Sequence, residues 1–339
     1  MLSRDRLESL LSAFPKLTIG LVGDLFLDRY LDIEADVEEI SIETGLEAFQ
    51  IQSVRNSPGA LGTVMNNLAA LGVGRLVPVT VIGDDGHGYD LKQALQTLPI
   101  DGSYLIEDPE RLTPTYTKPL KQEADGTRRE LNRFDIRTRG PLTAATQQLL
   151  NAHVQAAFAA CDGLIVLDQI NETDWGVVNA ETRRVLKSLA EQAPNKVMFV
   201  DSRTHLADFE FGILKGNQTE LLRAIGEPDS HGLTVEQASR QLVAKTGQPV
   251  YTTLGDAGIF VVTADGQADL SRVVPVDGAI DIVGAGDSAT SGIVSALLSG
   301  ATHLEAADIG NLVASITIQQ LGTTGTASPE QVIARHAEQ

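Results

Sequence analysis

The stretch Asp281-Ile282-Val283-Gly284-Ala285-Gly286-Asp287-Ser288 leads directly into a helical pattern at residues 289–298. Three consecutive residues of this stretch are small, and two of them are glycines, so the backbone can approach an anion closely. The helix that follows leaves its first amides without partners, and its dipole adds to the attraction. The stretch therefore predicts a phosphate-binding turn with the carboxylate of Asp287 beside it.

Two interpretations of Asp287 follow from these residues alone. Asp is a good N-cap and Gly is common in tight turns, so Asp287 could simply begin the helix. Alternatively, a carboxylate beside an anion site is placed to act as a base during phosphoryl transfer. The octapeptide does not decide between a cap and a base.

Composition limits the classes of partner. The 339 residues allow one large α/β domain or two average domains, and a net charge of -19 argues against binding nucleic acid or anionic membrane surfaces. The chain contains neither an apolar run of membrane-spanning length nor a secretory signal pattern, and Cys161, its single cysteine, excludes an intrachain disulfide. The six histidines are scattered without metal-ligand spacing. We therefore expect a cytoplasmic protein with no nucleic-acid or membrane partner.

Short apolar runs alternate with helical patterns along the chain. The runs that predict buried strands are residues 17–22, 76–82, 164–167, 197–200, 250–253 and 259–262. The segments that predict helices are residues 64–71, 91–98, 144–160, 177–193, 235–245, 289–298 and 304–321. This alternation predicts a doubly wound, mostly parallel sheet flanked by helices. Its ligand should lie beyond the carboxyl ends of the strands, near Asp24, Asp168, Asp201 and the turn before Asp287.

Two stretches interrupt the alternation. Residues 30–54 are acidic and mixed, and residues 113–136 alternate polar and apolar side chains around the turn-like Ala124-Asp125-Gly126. They predict a small β lid, formed by segments near 30–55 and 108–137 inserted in a single domain of residues 1–339. The alternative is two ordinary surface insertions. A lid would exclude water, and its open edge could pair across a two-fold axis, so a homodimer through the lid is expected.

Five further motifs accompany the opening one in a set order. They are Gly20-Leu21-Val22-Gly23-Asp24 followed by Asp28, Pro58-Gly59-Ala60-Leu61-Gly62, Asn217-Gln218-Thr219-Glu220, Thr253-Leu254-Gly255-Asp256-Ala257-Gly258, and Asn311. This order resembles the PfkB/ribokinase family of carbohydrate kinases over nearly the whole chain, and the segment ending in Gly-Ala-Gly-Asp is its most specific part. The resemblance implies a ribokinase-like fold and phosphorylation of a sugar or sugar-phosphate hydroxyl, with ATP and Mg²⁺.

The resemblance also implies roles at the matching positions. Asp287 would be the general base, and the backbone amides of Gly284, Ala285 and Gly286 would form the anion hole. The implied nucleotide-binding residues are Asn217, Glu220, Thr253, Gly255, Gly258 and Asn311. Glu220 would hold Mg²⁺ through water, and Asp281 with the carbonyl of Val283 matches the position where many relatives bind a monovalent cation such as K⁺. Without the resemblance, these residues fit a polar helix start, turns and an exposed helix face.

The acceptor side resembles the heptose-phosphate kinase branch of the family most closely. The implied substrate-binding residues are Asp28, Gly59, Lys118, Arg133, Asp168 and Arg203. The positive charges among them could receive a phosphate already on the sugar. Relatives in this branch also carry a nucleotidyltransferase domain, and we expect this chain to hold the kinase portion only.

Two departures from the family pattern concern the acceptor. Ala60 replaces the second glycine of a Gly-Gly signature, and Thr63 stands where an asparagine is expected. These changes leave two alternative functions open. One is a nucleoside kinase of the same fold, which would stack the base of its substrate on aromatic side chains of the lid. The obvious candidates are few, namely Tyr30, Phe49 and Tyr116, which argues against this alternative. The other is a catalytically silent sugar-binding regulator, which the intact Gly-Ala-Gly-Asp turn argues against.

Overall fold

The computed structural model describes residues 2–34, 39–123, 126–227, 232–322 and 324–338. The strands within these residues are β1 (Thr18–Gly23), β2 (Leu25–Ile33), β3 (Ile51–Ala60), β4 (Arg75–Gly83), β5 (Leu105–Asp108), β6 (Thr115–Gln122), β7 (Arg128–Glu130), β8 (Phe134–Ile136), β9 (Gly163–Asp168), β10 (Met198–Ser202), β11 (Ile213–Asn217), β12 (Val250–Thr253), β13 (Ile259–Val262) and β14 (Ala268–Leu270). The helices are α1 (Arg4–Leu11), α2 (Leu61–Ala70), α3 (Gly86–Leu95), α4 (Ala144–Ala160), α5 (Ala180–Gln192), α6 (Gln218–Ile225), α7 (Val235–Thr246), α8 (Ala285–Leu298), α9 (His303–Thr317) and α10 (Pro329–Ala337). No helix in these ranges is long and apolar enough to cross a bilayer.

A large sheet forms the centre of the fold. Its strand order is β14-β13-β12-β11-β10-β9-β1-β4-β5. The strands from β12 to β5 pair in parallel, whereas β13 and β14 pair antiparallel at one edge. The prediction of a doubly wound, mostly parallel sheet is therefore confirmed.

Side chains on the two faces of this sheet enter separate apolar clusters. On β9, Ile165 and Leu167 join one cluster, which also contains side chains of α2, α8 and α9. Leu164 and Val166 join the other, which contains side chains of α4, α5 and α7. Successive side chains of a strand point to opposite faces, so a strand covered by helices on both sides is apolar throughout. This explains the continuous apolar runs in the sequence.

A smaller mixed sheet forms the lid. Its order is β3-β2-β6-β7, and β8 also pairs with β6. β2 pairs antiparallel with β3 and in parallel with β6. This sheet extends from Leu25 to Ala60 in its first segment, and is therefore wider than the expected segment at 30–55. Ala124 and Asp125 of the predicted turn lie outside the described residues, but β6 and β7 on either side of them pair antiparallel.

Several elements do not follow from the apolar pattern. β11 is short, and its sequence Ile213-Leu214-Lys215-Gly216-Asn217 has only two apolar residues. It is nevertheless a central strand, since it pairs with β10 and β12. Strands β5 and β14 and helices α1 and α10 were likewise not among the predicted segments, and only the polar start of α6 was indicated. The register of neighbouring strands, rather than local hydrophobicity, places Lys215 inside the sheet.

Ala60 adopts a backbone conformation that disfavours any side chain. Its φ is 52° and its ψ is -112°, at the junction between β3 and α2. Ala60 and Asp174 are the non-glycine residues with positive φ in the described parts of the chain. Such a conformation strains an L-residue by about 1–3 kcal/mol, and glycine relieves this strain. The departure from the Gly-Gly pattern thus falls where the backbone favours glycine.

Replacing Ala60 with Gly should therefore stabilise the protein, even though glycine increases the entropy of the unfolded chain. We expect the free energy of unfolding to rise by about 1 kcal/mol in chemical denaturation. Ala152 is the matched control, because it is exposed in the middle of α4. Ala152→Gly should instead lower the free energy by about 0.5–1 kcal/mol. Equal losses in both variants would contradict the assignment of strain to Ala60.

Candidate active site

The carboxyl ends of β10, β11 and β12 and the start of α8 enclose a cavity of about 710 Å³. The predicted site residues that line it are Arg203, Asn217, Glu220, Thr253, Gly255, Gly258, Gly284, Ala285, Gly286, Asp287 and Asn311. Parallel strands that run in one direction end at one edge of the sheet, which brings these distant segments together. The cavity thus forms where the strand pattern predicted a ligand site.

The turn before α8 has a left-handed start. Gly284 is the N-cap residue, with φ 81°, and Asp287 is the third residue of the helix rather than its cap. A side chain at residue 284 would be strained whatever the space. The methyl group of Thr63 lies 3.4 Å from the point where a Cβ on Gly284 would lie. The carboxylate of Asp287 consequently belongs to the first helical turn and lines the cavity.

The amides of this turn differ in their partners. The Ala285 amide donates to the Ile282 carbonyl at 3.2 Å and so closes the turn. Gly286 and Asp287 are the second and third helical residues, and amides at such positions have no acceptor within their own helix. The start of α8 therefore presents free amides to an anion, with Ala285 engaged in the turn.

Four charged groups, from three strands and the loop after β10, act on Asp287. Burial raises the pKa of Asp287 to about 7, and the negative charges of Asp201 and Asp28 act in the same direction. Lys215 and Arg203 oppose this rise. A carboxyl group with a pKa near neutrality is well matched to accept a proton at physiological pH.

A buried ion pair lies beside Asp287. The Lys215 ammonium and the Asp201 carboxylate are 2.5 Å apart, and the two residues are 4% and 6% exposed. Asp201 and Lys215 are register partners on β10 and β11, and Thr290 of α8 donates a hydrogen bond to Asp201 at 2.9 Å. No motif in the sequence indicates a role for Lys215. The only signal was a charged residue in a stretch too short and too polar to predict a strand.

Asn217 and Glu220 form a capping box at the start of α6. The Asn217 amide donates to Glu220 Oε2 at 2.7 Å, and the Glu220 amide donates to Asn217 Oδ1 at 3.0 Å. This is the polar helix start that the residues alone indicated, and both residues also line the cavity. A carboxylate has a second oxygen for a metal-bound water, so Glu220 fits an indirect Mg²⁺ contact. The described residues contain no cluster of three or more His, Cys, Asp or Glu side chains that could hold a metal directly.

The far wall of the cavity is apolar. It is formed by aliphatic side chains, among them Val273, Val274, Val276, Ile280, Ile282, Ala314 and Ile318. Thr253 ends β12, and Gly255 and Gly258 follow with φ values of 63° and 91°. Asn311 donates from its side chain to the Arg272 carbonyl at 2.5 Å and so orders the segment that covers this wall. This half of the cavity has the apolar surface that a nucleobase requires.

The predicted cation residues lie in the turn beside this wall. Both carboxylate oxygens of Asp281 accept backbone amides, from Val283 at 3.1 Å and Gly322 at 3.2 Å. The Asp281 amide itself donates to the Ile318 carbonyl at 2.8 Å. These contacts connect the end of α9 to the turn before α8. Asp281 therefore supports the geometry of the turn before α8.

The lid contributes the predicted acceptor residues. A Cβ on Gly59 would lie 2.9 Å from the Asp28 carboxyl group, so Gly59 leaves room for that carboxylate. Lys118 lies 3.4 Å from Asp28 and 3.3 Å from the Tyr30 hydroxyl. Burial lowers the pKa of Lys118, but the charge of Asp28 and the contact with Tyr30 outweigh it, and the net shift is upward. Lys118 is thus a charged group on the lid.

Two arginines, one on the lid and one on the large sheet, lie close enough to Tyr116 for their charges to act on it. Arg133 of the lid lies 4.1 Å above the Tyr116 ring and forms a bidentate pair with Asp135 at 2.6 and 2.8 Å. Arg203 follows β10 in the large sheet and is exposed to the cavity. Burial raises the pKa of Tyr116, and the charges of Arg133 and Arg203 both oppose it. Lid and body therefore present positive charge to the same region.

Asp168 lies in an internal network instead of on the cavity wall. It is buried, and its Oδ2 accepts from Ser202 at 2.8 Å and contacts His205 Nδ1 at 3.0 Å. Hydrogen bonding to Asp168 raises the pKa of His205. His205 is therefore part of this internal network. Ser202 and Asp168 are register partners, which the sequence does not reveal.

A comparison with protein families matches residues 26–331 of the chain to the model of the pfkB family carbohydrate kinases. Among curated proteins, the chain is 29% identical over 323 residues to the bifunctional protein HldE of Paramagnetospirillum magneticum. That alignment covers 94% of this chain but 63% of the relative. The chain thus spans less than two thirds of the length of this relative.

Solved structures show the same fold. Escherichia coli phosphofructokinase-2 in complex with potassium superposes with a TM-score of 0.71 at 19% identity, covering 95% of this chain and 98% of that one. Arabidopsis thaliana ribokinase complexed with ribose and ATP gives 0.67 at 18% identity, covering 94% and 98%. At such identities the likeness establishes the architecture, a large sheet with a smaller lid sheet, and not the substrate.

Proposed function

The chain belongs to the pfkB family of carbohydrate kinases, and on that basis we propose that it transfers the terminal phosphoryl group of ATP to a hydroxyl of a sugar or sugar phosphate. The observation that carries this proposal is the arrangement at the start of α8. There, a carboxyl group with a pKa of about 7 lies beside free helix amides in one cavity. The lid adds polar groups of the kind that bind hydroxyls.

In the proposed reaction, the acceptor oxygen forms a bond to the terminal phosphorus as the bond to the bridging oxygen breaks and ADP leaves. The hydroxyl proton passes to the Asp287 carboxylate. The amides of Gly284 and Gly286 stabilise the negative charge of the phosphoryl group, and Ala285 joins them when its bond to Ile282 opens. Such transfers depend mainly on positioning and charge neutralisation.

Kinases of this family use ATP and a divalent metal. Glu220 is our proposed Mg²⁺ contact, through water, and Mg²⁺ would neutralise charge on the nucleotide phosphates. The proposed nucleotide residues are Asn217, Glu220, Thr253, Gly255, Gly258 and Asn311. Asp281 and the Val283 carbonyl are the proposed K⁺ position, since potassium is present in the solved phosphofructokinase-2 structure.

The acceptor is proposed to carry a phosphate. Its hydroxyls would contact Asp28, in the space that Gly59 leaves open. Its phosphate would contact Lys118 on the lid and Arg203 on the body, because Lys118 is a charged group beside Asp28 and Arg203 lines the cavity. Arg133 would contribute from its pair with Asp135, and Asp168 would act through its internal network.

Asp287→Asn should lower kcat roughly 100- to 10,000-fold, because a positioned base typically contributes that factor. The wild-type enzyme should lose kcat/KM as the pH falls through about 7, since only the ionised Asp287 accepts a proton. Steady-state assays across this pH range, with a panel of sugars and sugar phosphates, measure both effects. Near-normal turnover by Asp287→Asn would contradict the role of Asp287 as base.

Thermal unfolding tests whether the Asp287→Asn variant is misfolded. The folded pKa of Asp287, about 7, is higher than the ordinary value near 4. The ionised carboxylate therefore destabilises the fold increasingly as the pH rises from about 4 to 7. Asp287→Asn should unfold at a temperature equal to or above that of the wild type at pH 8.

Lys118→Met should raise KM for a phosphorylated acceptor roughly 10- to 100-fold, as expected for loss of one hydrogen bond to a charged group. KM for the corresponding unphosphorylated sugar should change much less. Lys121 is the matched control, because it lies on the same strand and pairs with Glu47 at 3.0 Å. An equal effect of Lys118→Met on both acceptors would argue against a phosphate at this position.

We also propose that two copies pair through the lid. The support is an exposed apolar surface at Ile40, Ile42 and Leu46, next to β3, which forms an edge of the small sheet. An exposed strand edge and a patch of this kind suit a two-fold partner.

Sedimentation velocity should therefore show a dimer, and Ile42→Lys should shift it to a monomer. Leu149→Lys, at an exposed apolar position on α4, should leave the dimer intact. A monomeric wild-type protein would overturn the proposal.

A further inference from the structure

Lys215 is a buried cation at the edge of the cavity. It lies on β11, is 4% exposed, and lines the cavity at the start of α8. A lysine is rarely buried to this extent unless it is paired. Its partner is Asp201, at 2.5 Å, which also accepts from Thr290 at 2.9 Å. Neither residue of the pair is accounted for by the proposed binding or base roles.

Stability alone is a weak explanation for this pair. The desolvation of two buried charges often offsets their attraction, so that well-packed apolar residues can be equally stable. An ammonium group has three donors, and the contact to Asp201 accounts for one. Asp201 thus fixes the position of the Lys215 ammonium, and two of its N–H donors are available to a ligand.

The position of the ammonium is defined by Gly286. A Cβ on Gly286 would lie 3.3 Å from Lys215 Nζ, and Gly286 belongs to the turn that would bind the phosphoryl group. The absence of a side chain there leaves the ammonium next to the free amides of α8. Its charge acts on both Asp287 and Glu220, which are the proposed base and the proposed metal contact. Lys215 is therefore close to both the proposed base and the proposed metal contact.

We propose that Lys215 is a catalytic residue whose ammonium contacts the phosphoryl group during transfer, and that Asp201 is a positioning residue that holds it beneath Gly286. The inference rests on the proposed kinase function. The acceptor oxygen gains the bond to phosphorus, the bridging oxygen of ADP keeps the electrons of the broken bond, and Asp287 takes the proton. Lys215 stays protonated throughout and offsets the negative charge of the phosphoryl oxygens as a point charge.

The double variant Lys215→Met with Asp201→Asn tests this role. Lys215→Met alone leaves Asp201 as a buried charge without its cation and is expected to destabilise the fold. The double variant removes both charges and should therefore unfold close to the wild-type temperature. Its kcat should nevertheless fall at least 100-fold, comparable to the loss of one oxyanion donor. Recovery of turnover in the double variant would show that Lys215 only neutralises Asp201, and would overturn the proposal.

Nucleotide binding without any acceptor separates this inference from the proposed function. We compare the thermal shift caused by ADP with that caused by a non-hydrolysable ATP analogue, each with Mg²⁺. The wild type should gain an additional shift from the terminal phosphoryl group, and the double variant should lose that gain while keeping the shift with ADP. An unchanged gain in the double variant would overturn the role of Lys215. Absence of any shift in the wild type would instead overturn the kinase assignment.

Lys196→Met is the matched control. Lys196 donates to the Phe158 carbonyl and lies just before β10, at the opposite end of that strand from Asp201. The substitution removes an equivalent side chain far from the cavity. It should leave kcat and the additional shift at wild-type values, and a comparable loss in this control would overturn the assignment to Lys215.

Discussion

In-register pairing of parallel strands places the polar side chains of the site beside one another. Asp201 faces Lys215 across β10 and β11, Ser202 faces Asp168 across β10 and β9, and Asn217 faces Thr253 across β11 and β12. Each pair joins residues that are separated in the sequence, and two of the pairs are linked by direct contacts. A shift of one residue in any strand would turn these side chains to the opposite face of the sheet. The arrangement of polar groups in the cavity therefore depends more on the register of these strands than on any single residue.

Much of this architecture follows from the sequence, since buried parallel strands are apolar on both faces and the runs at β1, β4, β9, β10 and β12 show this directly. The turn at Gly284 and Asp287 can also be predicted from the sequence, because its small residues and carboxylate are contiguous. The position of Lys215 in the site cannot be predicted in this way, because it depends on contacts with Asp201 on another strand and with Gly286 on a third element. The strain at Ala60 is hidden for a similar reason: the sequence shows which residue is present but not its φ.

The Asn217 and Glu220 pair shows how a local and a functional interpretation can both hold. The capping box accounts fully for their side-chain bonds at the start of α6. The same bonds fix the carboxylate at the cavity wall, where its second oxygen is available. A cap of this kind is a rigid support for a ligand contact, so evidence for capping does not count against binding. For Asp287 the two interpretations separate, because Gly284 occupies the cap position.

The two halves of the site are built by different sheets. The proposed nucleotide residues lie at or after the ends of strands of the large sheet or on helices packed against it, whereas the proposed acceptor residues Asp28, Gly59 and Lys118 belong to the smaller lid sheet. This division has an evolutionary consequence. Under the proposed function, substitutions on the lid would change the acceptor that is bound without altering the register or the apolar core of the large sheet. Proteins with this fold can therefore diverge in acceptor specificity while they keep the same phosphoryl-transfer site.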